Sequence, residues 1–86
     1  MPHVYIIIST KYHKTYVGST VDIKRRLYEH NYSGKSVYTK RYRPWIIIYQ
    51  EEYNNLMEAR KREKYLKSAA GRRFIKKYKL IPYIPG

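Results

Sequence analysis

The apolar positions of this chain fall into short runs with two different periods. Val4-Tyr5-Ile6-Ile7-Ile8 is β-branched and aromatic and too short for a buried helix, so it predicts a strand. Its alternation sets Val4, Ile6 and Ile8 on one face and Tyr5 and Ile7 on the other. Ser9 to Lys14 is polar and basic and leads into a second β-type run, Thr15-Tyr16-Val17, which stops at Gly18; the two should pair as a hairpin. Helical spacing takes over from about Ile23 to Tyr32, with Asp22 as the cap and Gly34 as a left-handed stop. Ser36 to Arg43, SVYTKRYR, has no clear period and reads as a loop. After Pro44, the unbroken run Trp45-Ile46-Ile47-Ile48-Tyr49 has the look of a central strand covered on both faces.

Asn54 or Asn55 caps a second helix, Leu56 to about Ala69, in which Leu56, Ala59, Leu66 and Ala70 form the buried stripe. Gly71 separates it from a short basic helix, Arg72 to Tyr78, docked through Phe74, Ile75 and Tyr78. The order β-β-α-β-α-α describes an α/β chain of the α+β sandwich type, a small three-stranded antiparallel sheet flanked by helices. Residues 1–79 form one domain, and residues 80–86, with two prolines, form an extended tail.

Three residues break this pattern. Arg26 and His30 share a helical face with Ile23 and Leu27, and Glu63 lies within the stripe of the second long helix. A charge beside an apolar face needs a partner, because burying it alone costs several kcal/mol. Arg26 is either a stem lying on the core with its head in water, or a cation held in a concave site for an anion. For Glu63, Arg60 and Lys67 stand at i−3 and i+4, so helical ion pairs are the plain explanation; its apolar neighbours point it inward instead.

Charge then narrows the partners. Nineteen Lys and Arg against six Asp and Glu give a net charge of +13, which steers toward polyanions, nucleic acid first and anionic membrane second. No apolar run approaches the ~20 residues needed to cross a bilayer, and the N-terminus lacks a signal peptide's basic region, so a cytoplasmic protein is expected. The absence of cysteine excludes disulfides, thiolate zinc sites and a cysteine nucleophile. Gly18-Ser19-Thr20 lacks the glycine spacing and lysine of a phosphate loop. Ser19, Asp22 and His30 lack a nucleophile elbow, and the three isolated histidines lack zinc-site spacing.

What remains is a dispersed set: Tyr5, Tyr16, Arg26, His30 and Glu63. Val-Tyr-Ile at Val4–Ile6, Tyr16-Val17-Gly18 about ten residues later, D-I-K-R-R-L-x-x-H from Asp22 to His30, and E-A-R-K-R-E-K-Y-L-K from Glu58 to Lys67 together resemble the GIY-YIG nuclease superfamily, in particular its small standalone members. The likeness covers Val4 to about Tyr78; each motif alone is weak, and their order and spacing make the match. Tyr5 corresponds to the tyrosine closing the first motif, Tyr16 to the one opening the second, and Gly18 to its glycine. Arg26 corresponds to the family arginine, His30 to a histidine common in many branches, and Glu63 to the metal-binding glutamate. His3 departs from the pattern, standing where the motif has glycine.

The resemblance implies a metal-dependent DNA endonuclease, with catalytic residues Tyr5, Tyr16, Arg26, His30 and Glu63 and with Glu63 binding Mg²⁺ or Mn²⁺. A hard cation of this kind takes one carboxylate, waters and substrate phosphate oxygens. Arg26 can answer charge building on the phosphate. The family points to Tyr16 as general base with Tyr5 orienting water or phosphate, and the division between the two stays open. His30 is a proton relay or a phosphate contact. Arg25, Lys35, Lys40, Arg41, Arg43 and Lys67 are the expected DNA-contacting cations, helped by Tyr38 and Tyr42; the plain alternative for the 36–43 stretch is a solvated loop.

Family members often take specificity from a separate DNA-binding domain, so weak sequence selectivity, recognition of DNA structure, or a specificity partner is expected, in repair, recombination or a mobile-element remnant. The competing expectations are a non-catalytic basic module that binds DNA, or a protein bound to ribosomal RNA. An inward Glu63 separates the nuclease from both, since a pure binder has no use for it.

Overall fold

The computed structural model describes residues 1–12, 14–33 and 36–77. The sequence expectations for Gly34, Lys35, Tyr78 and the tail at 80–86 therefore lie outside the described residues. A three-stranded antiparallel sheet has β1 (His3–Ser9) in the middle, β2 (Thr15–Thr20) on one side and β3 (Trp45–Glu52) on the other. The hairpin forms as expected, with Tyr5 opposite Gly18 and Ile7 opposite Tyr16.

The central strand is β1, not the Trp45–Tyr49 run. Val4 to Ser9 are all buried, whereas Ile46 on β3 is 46% exposed. Only Trp45 of that run is buried and the rest are half-buried or exposed, so an unbroken apolar run on a three-stranded sheet does not by itself mark the central position. The two faces split as the alternation requires. Val4, Ile6 and Val17 pack with Ala59 and Leu66 of α3 (Leu56–Lys67), joined by Phe74 and Ile75 of α4 (Ala69–Lys77). Tyr5, Ile7 and Trp45 pack on the other face with Ile23 and Leu27 of α1 (Ile23–Tyr28). Each fully buried aliphatic side chain of these clusters contributes roughly 1.5–3 kcal/mol.

The first helix does not continue regularly to Tyr32. Asp22 caps it by accepting the Arg25 amide (3.1 Å), but from Glu29 to Ser33 the backbone widens into a π-helical turn. This turn swings His30 into the interior and brings Asn31 to the start of β3, where its Oδ1 accepts the Trp45 amide (2.6 Å) and its Nδ2 donates to the Trp45 carbonyl (3.1 Å).

The stretch expected to be a loop holds a short helix, α2 (Val37–Arg41), capped by Ser36. It is fixed from outside: Trp45 Nε1 donates to the Thr39 carbonyl (2.8 Å), and the Tyr38 ring stacks on Trp45. Gly71 lies inside α4; the break falls at Ser68. A Cβ at Gly71 would lie 1.6 Å from the Leu66 carbonyl oxygen, so only glycine lets α4 turn back this closely against α3.

A structural ion pair ties β3 to α3. Arg62 donates to both oxygens of Glu51 (3.0 and 3.2 Å), which also accepts from the hydroxyls of Tyr49 and Tyr53. Burial pushes the Glu51 carboxyl up, but these hydrogen bonds outweigh it and hold it below the usual range.

Candidate active site

The edge strand β2 carries the site, with side chains on both its faces. On the α1 face, Tyr5 and Tyr16 come from adjacent strands with ring centroids 6.5 Å apart, and His30 lies 5.0 Å from the Tyr16 ring. Tyr5 Oη and His30 Nε2 are hydrogen-bonded at 2.7 Å in the interior. Gly18 makes this possible: a Cβ there would stand 2.4 Å from Tyr5 Oη and 2.6 Å from Tyr5 Cζ, so a bare backbone is what admits the phenol.

The electrostatics of this face follow from burial and one cation. Burial pushes the Tyr5 hydroxyl up to about 12, with the Arg26 guanidinium pulling the other way and Tyr16 adding to the rise. Burial also lowers His30 to about 4, reinforced by the positive charge of Arg26 and opposed by Glu29. At neutral pH the pair is thus a neutral imidazole and a protonated phenol, and in the Nδ1-protonated tautomer Tyr5 donates to His30 Nε2. Arg26 is itself raised above its ordinary value, first by the neighbouring Tyr5 hydroxyl. Its side chain is 44% exposed and its guanidinium donates to Glu29 (3.2 Å), so the side chain divides between core and water while the charge stays beside Tyr5.

On the other face, Glu63 of α3 reaches β2. The Ser19 hydroxyl donates to Glu63 Oε1, and Lys67 Nζ stands 2.7 Å from Oε2. The Glu63 side chain is 20% exposed, partly inward as its stripe suggested; Lys67 is its helical partner, and Arg60 is exposed. Lys67 Nζ also lies over the Tyr16 ring, 5.5 Å from its centroid, which links the two faces. Ser19 joins Glu63 instead of Asp22 and His30. Its role was visible only as the alternation along β2, which points Val17 and Ser19 toward α3.

Of the expected residues, Tyr5, Tyr16, Arg26, His30 and Glu63 gather around β2, and Lys67 belongs with them. Two grooves flank the strand. One of about 530 Å³ is lined by Lys14, Tyr16, Tyr38, Lys67 and Arg72 among others; one of about 250 Å³ runs past Ser19, Asp22, Arg25, Arg26 and Glu29. Arg25 pairs with Glu29 at 3.5 Å on the rim. Lys40 and Arg43 border a hollow of about 110 Å³ beside His30, while the Arg41 guanidinium lies over the Tyr42 ring. Lys35 lies outside the described residues.

The donor set at Glu63 fits a hard divalent cation. One carboxylate oxygen is steadied by a hydroxyl and the other already faces a cation, the Lys67 ammonium. Among the described residues no three His, Asp or Glu side chains cluster, so such an ion would complete its shell with water and phosphate oxygens. Among the described residues no helix is long and apolar enough to cross a membrane.

Residues 1–79 match the family described as the GIY-YIG catalytic domain. The chain is 37% identical over 79 residues to a UPF0213 protein of Staphylococcus saprophyticus, covering 92% of this chain and 93% of that one. It is 33% identical over 66 residues to a UPF0213 protein of Staphylococcus haemolyticus, covering 77% and 80%. A UPF0213 protein of Desulfotalea psychrophila is 45% identical over 49 residues, covering 56% and 44%.

Proposed function

The chain belongs to the GIY-YIG family, whose catalytic domain implies nuclease-type chemistry, and from that premise we propose that it is a divalent-metal-dependent endonuclease hydrolysing phosphodiester bonds in DNA with weak intrinsic sequence selectivity. The observation that carries the reading is the convergence on one edge strand of a Tyr5–His30–Arg26–Tyr16 cluster and a serine-steadied Glu63. A nucleic-acid-binding module without catalysis accounts for the charge of +13 but gives no use to a Glu63 held by Ser19 and Lys67 against β2.

Each residue has a role that its surroundings favour. Tyr5 holds its proton to about pH 12 and serves to orient, donating toward water or phosphate through the network it shares with His30. Tyr16, half-buried and bordering the larger groove, is reachable by water and takes the proton of the attacking nucleophile. Arg26 aims a permanent charge at the non-bridging phosphate oxygens, held in place by Glu29. His30, neutral, fixes the Tyr5 hydroxyl rather than carrying charge. Glu63 would hold the divalent cation, with the Ser19 hydroxyl steadying the carboxylate. A divalent cation held there would supply Lewis-acid neutralisation of charge on the phosphate. Arg25, Lys40, Arg41, Arg43 and Lys67 grip the flanking phosphates, and a partner protein or the shape of the DNA supplies further selectivity.

The test is Glu63→Gln, followed by thermal melting and plasmid nicking across a Mg²⁺ titration. The amide oxygen keeps the Ser19 hydrogen bond, and losing a partly exposed helical ion pair costs about 0.2–1 kcal/mol, so the fold survives. Nicking falls by about a hundredfold or more at every Mg²⁺ concentration, while DNA binding persists. A mutant whose nicking simply tracks its folded fraction refutes the assignment.

A further inference from the structure

Lys67 is positioned to do more than grip DNA. Its ammonium stands 2.7 Å from Glu63 Oε2, the carboxylate oxygen that Ser19 leaves open. That is where a metal ligand would offer its free oxygen, and an ammonium held at this distance competes with a divalent cation through like-charge repulsion. Lys67 is also the last residue of α3 and about half exposed, so its four-carbon stem can change rotamer without moving the helix. It lines the 530 Å³ groove with Lys14, Tyr38 and Arg72, whose cationic walls suit phosphate.

We propose that Lys67 is an exchangeable counter-ion: it holds the Glu63 carboxylate until a divalent cation arrives, then turns into the adjacent groove and takes a phosphate of the polynucleotide. The inference rests on reading Glu63 as a metal ligand and adds a coupling that this reading does not contain. A phosphate in the groove draws Lys67 off Glu63 and frees the carboxylate; a divalent cation on Glu63 releases Lys67 to the phosphate. By linkage each binding event tightens the other by the same factor. The cation-free site meanwhile keeps its carboxylate neutralised and in place, which spares the partly buried Glu63 an unpaired charge.

The experiment measures Mn²⁺ binding by the free-ion electron-spin-resonance signal, on the whole chain, without DNA and with a cleavage-resistant phosphorothioate duplex. Three proteins are compared: the natural chain, Lys67→Met, which keeps the stem without the charge, and Glu63→Gln, with Lys67→Gln as a second variant should Lys67→Met melt early. Without DNA, Lys67→Met should bind Mn²⁺ about fivefold tighter than the natural chain, because the competing ammonium is gone. Adding the duplex should tighten Mn²⁺ binding by the natural chain, and this gain should shrink by a similar factor in Lys67→Met. Mn²⁺ binding abolished by Glu63→Gln but unchanged or weakened in Lys67→Met overturns the counter-ion role alone. Mn²⁺ binding that Glu63→Gln leaves intact overturns the metal reading of Glu63, and the exchange with it.

Discussion

Acidification should destabilise this protein through His30. The imidazole is 3% exposed, bonded to Tyr5 and close to Arg26, and its folded-state value is about 4 against 6.5 ordinarily. Because the folded state resists the proton, the stability His30 contributes is complete above pH 6.5 and declines as pH falls toward about 4. A difference of this size corresponds to about 3 kcal/mol in full, at roughly 1.4 kcal/mol per pH unit. Between 6.5 and about 5, before the carboxylates titrate, the loss should be about 2 kcal/mol, a large share of a small domain's stability. Urea unfolding at several pH values in that window, for the natural chain and for His30→Gln, measures it. The variant starts less stable, since it loses the fitted ring, but its stability should vary with pH by that much less. Parallel curves for the two proteins, or a flat one for the natural chain, would show that His30 takes up its proton in the folded state and that the buried neutral imidazole is wrong.

Three other changes probe the same strand and surface. Gly18→Ala drives a methyl into a phenol that is itself buried, so it should break the Tyr5–His30 bond, cost about 1–3 kcal/mol in urea unfolding, and depress nicking further than that loss explains. Arg26→Ala removes a side chain that is 44% exposed, so melting should move little while nicking falls about 10²–10³-fold; near-normal turnover would reduce Arg26 to a stem on the core. Binding to random duplex DNA should weaken steeply with salt, each neutralised phosphate contributing about 0.9 to the slope of log K against log salt, and an affinity indifferent to salt would deny the basic surface its role.

The elements legible in the sequence were those whose cause is local. The β-branched run at Val4–Ile8, the Asp22 cap and the Leu56–Ala59–Leu66 stripe each specify their own geometry. The features that escaped depend on partners distant in the chain. The five-residue helix Val37–Arg41 has no periodicity to read and is held by Trp45. The widened turn at Glu29–Ser33 trades regular hydrogen bonds for a buried His30 and an Asn31 that closes on Trp45. Gly71 resembles a helix stop in one dimension, yet its reason is a backbone carbonyl that meets it only after the chain turns back. In the site, the anomalous charges Arg26 and Glu63 were visible because they interrupt apolar stripes. Ser19 shows only through the alternation of β2, since a serine on a strand interrupts nothing.

Tyr16 and Gly18 point to one face of the edge strand, Val17 and Ser19 to the other. The tyrosine half of the site and the carboxylate half therefore meet across the single peptide unit joining Gly18 to Ser19. Helices that sway against a sheet change most distances between them, but a peptide plane scarcely stretches or bends. The backbone of Gly18 and Ser19 is thus fixed by covalent geometry, while Arg26 and Glu63 reach it from helices packed on either side. A shift of either helix would therefore move its own charged residue against the strand, while the strand's two faces keep their spacing.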